Sequence, residues 1–126
     1  MSRTRLTLPR GDSGLFEFAW TDPATGDALP ITGCTIRFTA KHRASDDDVD
    51  AVIQKETPTG VEIVDGPGGI CRVHLDPEDT EALDTPVTLL WDLQLVDGST
   101  PANVWTIPTS EPGELRVFGD ITRTRP

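Results

Sequence analysis

The stretch that most constrains this fold is Val87–Val96, where apolar side chains occupy every second position. A period of two places alternate side chains on opposite faces of an extended strand. At about 3.3 Å per residue, a strand of this length crosses a whole small domain. The pattern therefore predicts the central strand of a packed sheet, with one face turned inward. The inward set is Val87, Leu89, Trp91, Leu93 and Leu95.

Shorter segments with the same alternation recur along the chain, and residues that favour turns separate them. The clearest turn is at residues 65–69 (Asp-Gly-Pro-Gly-Gly), which predicts a hairpin between two apolar strands. Turns spaced about every eight to twelve residues are typical of a β-sandwich. We therefore expect a single all-β, antiparallel sandwich of about eight strands. The other predicted strands are residues 14–20, 34–41, 51–56, 60–64, 70–75, 103–107 and 113–118.

The length of 126 residues favours one domain. We expect an N-terminal arm over residues 1–13, because this segment is basic and contains Pro9, and a sandwich domain over residues 14–122. Residues 123–126 are expected to form a C-terminal tail. Asp76 can cap a helix and Pro77 suits its first position, so residues 76–83 predict a short connector helix.

The charge of the chain argues against several classes of partner. The formal net charge is −10 at pH 7, whereas binding to nucleic acid requires clustered lysine and arginine. No apolar run approaches the roughly 18 residues of a membrane span, so no membrane partner is expected. The basic N-terminus is not followed by the apolar stretch of a secretory signal. We therefore expect a protein that is made in a cytoplasm and stays there or is released by lysis.

The cysteines and histidines do not form a metal-binding pattern. Cys34 and Cys71 each lie among alternating apolar residues, which predicts reduced thiols packed inside the protein. A disulfide between them requires that their strands be neighbours. His42 and His74 lack metal-ligand spacing, and His74 falls on the polar side of its strand, so we expect it on the surface. No metal and no cofactor are expected.

The acidic segment at residues 45–50 has two interpretations. Asp46, Asp48 and Asp50 match the first three ligand positions of an EF-hand calcium loop. The match then fails, because Ala51 stands where that loop needs glycine and Thr57 where it needs a bidentate glutamate. We therefore expect a solvated acidic loop rather than an ion site.

The sequence lacks the motifs of common enzyme classes. It has no tyrosine, no nucleophile elbow, no phosphate-binding glycine loop and no dinucleotide fingerprint. We expect a protein that is not an enzyme and that acts by binding or as a structural component. One alternative is a carbohydrate-binding sandwich in which Trp20, Trp91 or Trp105 stacks on sugars. The tryptophans are in phase with apolar neighbours, which favours packing in the core.

A series of short motifs follows a particular order from about Thr7 to Thr122. The motifs are residues 10–12 (Arg-Gly-Asp), 29–33 (Leu-Pro-Ile-Thr-Gly), 34–38 (Cys-Thr-Ile-Arg-Phe), 65–70 (Asp-Gly-Pro-Gly-Gly-Ile), 76–79 (Asp-Pro-Glu-Asp), 91–98 (Trp-Asp-Leu-Gln-Leu-Val-Asp-Gly), 105–107 (Trp-Thr-Ile) and 113–122. Their order resembles the immunoglobulin-like N-terminal domain of the siphophage baseplate upper protein and related small tail and virion proteins. The likeness is a pattern of strands and turns.

The resemblance implies an immunoglobulin-like β-sandwich with a structural role in a virion. We expect a tail or baseplate adaptor of a tailed phage or virus, with other virion structural proteins as its partners. A capsid decoration or neck protein is an alternative that also acts through protein–protein contacts. Virion proteins commonly form closed rings, so we expect a homo-oligomeric or symmetric assembly. The expected location is the virion, after synthesis in the host cytoplasm.

Three places are candidates for the interface with a partner. Leu90 and Val96 are apolar on the otherwise polar face of the central strand, so we expect a partner protein to cover them. The basic N-terminal segment is expected to lie on an acidic neighbour through Arg3, Arg5 and Arg10. The acidic loop is expected to meet a basic patch through Asp46, Asp47 and Asp48.

Overall fold

A computed structural model of the chain describes residues 5–43, 45–99, 102–108 and 112–119. Within these residues, nine strands form two sheets that enclose one core. This arrangement confirms the predicted all-β sandwich. The strands are β1 (Arg5–Pro9), β2 (Gly14–Ala19), β3 (Thr35–Lys41), β4 (Ile53–Glu56), β5 (Val61–Asp65), β6 (Ile70–Leu75), β7 (Val87–Val96), β8 (Val104–Ile107) and β9 (Gly113–Phe118).

The larger sheet has six strands, in the order β1-β9-β7-β3-β4 with β8 also paired to β7. On one side of β7, strand β3 pairs from Leu90 to Val96. On the other side, β9 pairs with the first half of β7 as far as Trp91, and β8 pairs with the second half from Leu93. Because β7 contacts three strands, the prediction that Val87–Val96 is the central strand is confirmed.

The smaller sheet is antiparallel and has the order β2-β6-β5. The predicted hairpin turn joins β5 to β6. Gly69 in this turn has a φ of 75°, a conformation that glycine adopts without steric cost. The Asp65 carboxylate closes the turn by accepting a 3.0 Å hydrogen bond from the Gly68 N–H.

The inward side chains of both sheets meet in one hydrophobic core. Trp91 is 1% exposed, and its ring lies 5.4 Å from that of Phe18 in the smaller sheet and 5.6 Å from that of Phe38. Aromatic pairs at these separations attract each other in addition to burying apolar area. Gly113 on β9 lies opposite Trp91 and leaves the space in which the indole rests. The inward face of β7 therefore organises the core, as its alternation predicts.

The N-terminal segment differs from the expectation of a separate arm. Residues 5–9 form β1, which pairs in parallel with β9. Leu8 is 5% exposed and belongs to the core, and this burial holds the segment in the sheet. The expected arm over residues 1–13 is therefore wrong for residues 5–9. Arg3 and the expected tail over residues 123–126 lie outside the described residues.

The connector before β7 is shorter than the predicted helix over residues 76–83. A 3-10 turn at Pro77–Asp79 takes its place, and the predicted cap forms, since Asp79 Oδ2 accepts a 2.7 Å hydrogen bond from the Asp76 N–H. Thr80 is then fully buried, where its hydroxyl accepts a 2.8 Å hydrogen bond from the Gly11 N–H. This tertiary contact competes with a further helical turn. The described part of the chain contains no helix of the length and hydrophobicity that crossing a membrane requires.

The two cysteines are free thiols, as predicted. Cys71 is fully buried and Cys34 is half-buried, and burial raises the pKa of both thiols. Cys71 Sγ accepts a 3.4 Å hydrogen bond from the indole N–H of Trp20. The buried thiol therefore acts as a small core residue with one polar contact.

Candidate functional site

The outward-facing side of the six-stranded sheet carries three of the predicted interface residues that the structure describes, Arg5, Leu90 and Val96. Residues opposite each other on paired strands point to the same side of a sheet. Leu90 lies opposite Glu114 on β9 and Lys41 on β3, and Glu114 in turn lies opposite Arg5 on β1. We call this side the outer face, and its members include Arg5, Arg37, Thr39, Lys41, Leu90, Asp92, Gln94, Val96 and Glu114.

Most charges on the outer face are engaged with one another. Arg5 Nη2 lies 3.3 Å from Glu114 Oε1, and Arg37 Nη2 lies 2.8 Å from Glu56 Oε1. Such solvated pairs typically contribute less than about 1 kcal/mol to stability. Because these charges are paired within the chain, a partner that binds the outer face meets few unpaired ions.

The acidic loop folds back onto the outer face through Lys41. Lys41 Nζ lies 2.8 Å from Asp48 Oδ1 and donates a 2.7 Å hydrogen bond to the backbone carbonyl of Asp46. The hydrogen bond with Lys41 lowers the pKa of Asp48, and the same bond raises the pKa of Lys41. Asp47 stays exposed. The loop is therefore partly neutralised within the chain.

A surface cleft of about 150 Å³ opens on the outer face beside Leu90. It lies where β7 changes its partner, because Trp91 is the last residue paired with β9 and Leu93 the first paired with β8. Asp92 lies between them, and none of the described residues of β8 or β9 lies opposite it. The cleft is lined by Arg37, Thr39, Lys41, Asp48, Leu90, Trp91, Asp92, Gln94 and Pro112.

Asp92 is the residue of the cleft that sequence reasoning does not single out. Its side chain is half-buried and makes no hydrogen bond and no ion pair with any residue that the structure describes. Partial burial raises the pKa of the Asp92 carboxyl, and the positive charge of Lys41 opposes that rise. Asp92 could be noticed in the sequence only because aspartate is rare in strands and this one lies at the centre of a strand.

Val96 shares the outer face but not the cleft. It lies opposite Val104 on β8, which is 53% exposed. At about 3.3 Å per residue, Val96 is about 20 Å from Leu90 along the strand. The alternation correctly places both residues on the outward side, where each is half-buried. Their contact with a partner stays a prediction.

Arg10 forms hydrogen bonds within the chain rather than extending toward a partner protein. Its backbone N–H donates a 2.9 Å hydrogen bond to the Phe118 carbonyl, and its guanidinium donates a 3.3 Å hydrogen bond to the Leu83 carbonyl. Arg10 therefore links the end of β1 to the end of β9 and to the connector before β7. Of the three arginines predicted at the interface, the structure brings only Arg5 to the outer face among the residues it describes.

The residues considered for metal binding form no ion-binding group within the described part of the chain. His74 is exposed on the smaller sheet, as predicted, with Nε2 3.1 Å from Glu62 Oε1. Asp48 is paired with Lys41. Across residues 5–43, 45–99, 102–108 and 112–119, no group of three or more histidine, cysteine, aspartate or glutamate side chains is arranged to hold a metal ion.

The tryptophans considered for sugar stacking are mainly core residues. Trp20 and Trp91 are 2% and 1% exposed, which confirms the prediction that they pack in the core. A ring that is covered on both faces cannot stack on a sugar. Trp105 is half-buried on β8, opposite Leu95. The carbohydrate alternative therefore loses two of its three aromatic candidates.

Comparison of the sequence with known proteins gives no assignment. No protein-family model matches the chain, and no curated protein matches its sequence.

Proposed function

We propose that this chain is a structural virion protein of a tailed phage or virus, a tail or baseplate adaptor that binds other virion proteins through its outer face. The observation that carries the proposal is the composition of that face. It combines half-buried Leu90 beside a cleft, the apolar pair Val96 and Val104, and charges that are mostly paired within the chain. Apolar positions of this kind within a polar surface are typical of sites that a partner covers.

The strand order supports the part of the proposal that concerns an immunoglobulin-like domain. The orders β2-β6-β5 and β9-β7-β3 follow the two sheets of such a domain, with β4 as an additional strand beside β3. The motifs of the resemblance fall on strands and turns of this chain, since residues 65–69 form the β5–β6 turn and residues 91–98 end β7. A fold by itself does not define a function, and for this reason the outer face carries the argument.

Mass spectrometry of purified particles tests the proposal. Particles are prepared from cells that replicate the genome encoding this chain, and the peptides of the chain are quantified against those of the structural proteins. We expect the chain in stoichiometric amount. Its absence from particles would contradict the proposal. Cross-linking in the same particles separates the alternatives, because contacts with tail or baseplate proteins support an adaptor, and contacts with capsid proteins support decoration or a neck position.

A further inference from the structure

We propose that the cleft beside Leu90 receives a single basic side chain, arginine or lysine, of a partner protein, and that Asp92 is its counter-ion. This inference rests on the proposed function, because it names the chemistry of the partner at the same outer face. It commits to a protein partner with a basic residue at the centre of its contact surface.

The charges of the cleft leave one carboxylate without a partner. Arg37 is 2.8 Å from Glu56 and Lys41 is 2.8 Å from Asp48, so both cations that line the cleft form their ion pairs with other residues. The charge of Lys41 attracts the Asp92 carboxylate without forming an ion pair with it. Asp92 alone among the ionisable side chains lining the cleft has no ion pair within the described residues. A half-buried carboxylate without a counter-ion costs free energy, and an incoming cation offsets that cost.

The walls of the cleft suit the remainder of a basic side chain. Leu90 and Asp92 both face outward on β7, about 7 Å apart along the strand. Lysine and arginine carry a charged head on an apolar stem, so the stem packs on Leu90 while the head reaches Asp92. Thr39 lies opposite Asp92, and the next outward residue on β7 is Gln94. Their side-chain oxygens are acceptors for the remaining N–H groups.

The size and charge of the site select this occupant. A volume of about 150 Å³ is smaller than the roughly 300–1,000 Å³ of typical small-molecule sites, so the cleft admits one side chain. An apolar side chain would leave Asp92 without a counter-ion, and an acidic one would be repelled. The net charge of −10 also attracts a basic partner at long range.

An NMR titration of the purified chain tests the inference with N-acetyl-L-arginine amide, and uses the neutral isostere N-acetyl-L-citrulline amide for comparison. We expect saturable shifts of the backbone amides of residues 39 and 90–94, with a dissociation constant on the order of millimolar for so small a probe. The citrulline probe should bind at least tenfold more weakly. Asp92→Asn should lose the arginine response, and Asp27→Asn, the same charge change at an exposed position outside the cleft lining and outside the predicted interface, should keep it.

Asp92→Asn should fold and should be at least as stable as the wild type at pH 7, because it removes an unpaired carboxylate. An unfolded Asp92→Asn protein would overturn the inference by making Asp92 a structural residue. Undiminished arginine binding by Asp92→Asn, equal loss in Asp27→Asn, or no saturable shift in the wild type would overturn it as well. None of these outcomes contradicts the proposed function. The proposed function fails only if the wild-type chain is missing from particles.

Discussion

Replacing Gly113 with alanine is expected to destabilise the protein, because the indole of Trp91 occupies the space that a Cβ needs. Gly113 lies opposite Trp91 in the β7–β9 ladder, and an added Cβ would lie 2.6 Å from Cζ2 of the ring. Contacts of a real Cβ essentially never fall below 3.0 Å. Both residues are buried, so the ring cannot move into solvent. Overpacking of this kind costs about 1–3 kcal/mol.

The same substitution also stabilises the protein in another way, and the cost of the clash has to exceed this gain in stability. Alanine restricts the unfolded chain more than glycine does, which stabilises a protein by about 0.4–1 kcal/mol where the backbone permits it. The φ of Gly113 is not positive, so the backbone permits alanine. A clash this close puts the overpacking cost at about 2–3 kcal/mol, and subtracting a gain of up to about 1 kcal/mol leaves a net loss of about 1–2 kcal/mol. At about 2.1 cal/mol/K of unfolding entropy per residue, this loss lowers the Tm of the 126-residue chain by about 4–8 °C.

Differential scanning calorimetry of Gly113→Ala and of a matched variant, Gly98→Ala, measures this effect. Gly98 lies in the turn after β7, has no positive φ, and an added Cβ would meet nothing within 4 Å. Its Tm should rise by about 2–4 °C, because alanine restricts the unfolded chain and meets no clash at this position. If Gly113→Ala melted at the same temperature as Gly98→Ala, the packing of Trp91 across Gly113 would be refuted.

Substitutions at two further positions test contacts outside the outer face. Thr80→Val deletes the buried acceptor of the Gly11 N–H and should lower the free energy of unfolding, measured by urea denaturation, by about 1–3 kcal/mol. Thr80→Ser keeps the hydroxyl and should lose less stability. Equal losses in the two variants would contradict a stabilising role for this hydrogen bond. The pKa of Asp97 lies far below its ordinary value, mainly because its carboxylate accepts a hydrogen bond from Ser99. Ionised Asp97 therefore stabilises the fold above the unfolded-state pKa of about 3.9, and this stabilisation is lost as the pH falls below that value. Asp97→Asn should therefore flatten the dependence of Tm on pH between about 2 and 5, and an unchanged slope would remove Asp97 as its source.

Local alternation is sufficient to predict β7 and most of the other strands, because each buries one face. The pairing of β1 with β9 is not predictable in this way, since Arg5 and Glu114 are 109 positions apart and the basic residues of the segment resemble those of a solvated arm. The capping signal at Asp76 is correct, and a 3-10 turn forms there. The length of the helix is not predictable locally, because it depends on the distant contact between Thr80 and Gly11.

Local sequence likewise predicts one part of the candidate site and not the rest. The outward placement of Leu90 and Val96 follows from the period of two and is confirmed. The cleft depends on the change of partner from β9 to β8 along one edge of β7, which no local pattern encodes. Asp92 is left half-buried at that point, and only its rarity in a strand marks it in the sequence.

Whether the outer face binds a virion partner is tested most directly by comparing the incorporation of Leu90→Arg and Leu15→Arg chains into particles. Leu90 lies beside the cleft, and we expect an arginine there to pair with Asp92 and to fill the space that a partner needs. Leu15 is 55% exposed on the smaller sheet and receives the same change. Quantitative mass spectrometry of purified particles should show at least a tenfold loss of Leu90→Arg and wild-type incorporation of Leu15→Arg. Wild-type incorporation of Leu90→Arg, or equal loss of both variants, would contradict a role for the outer face.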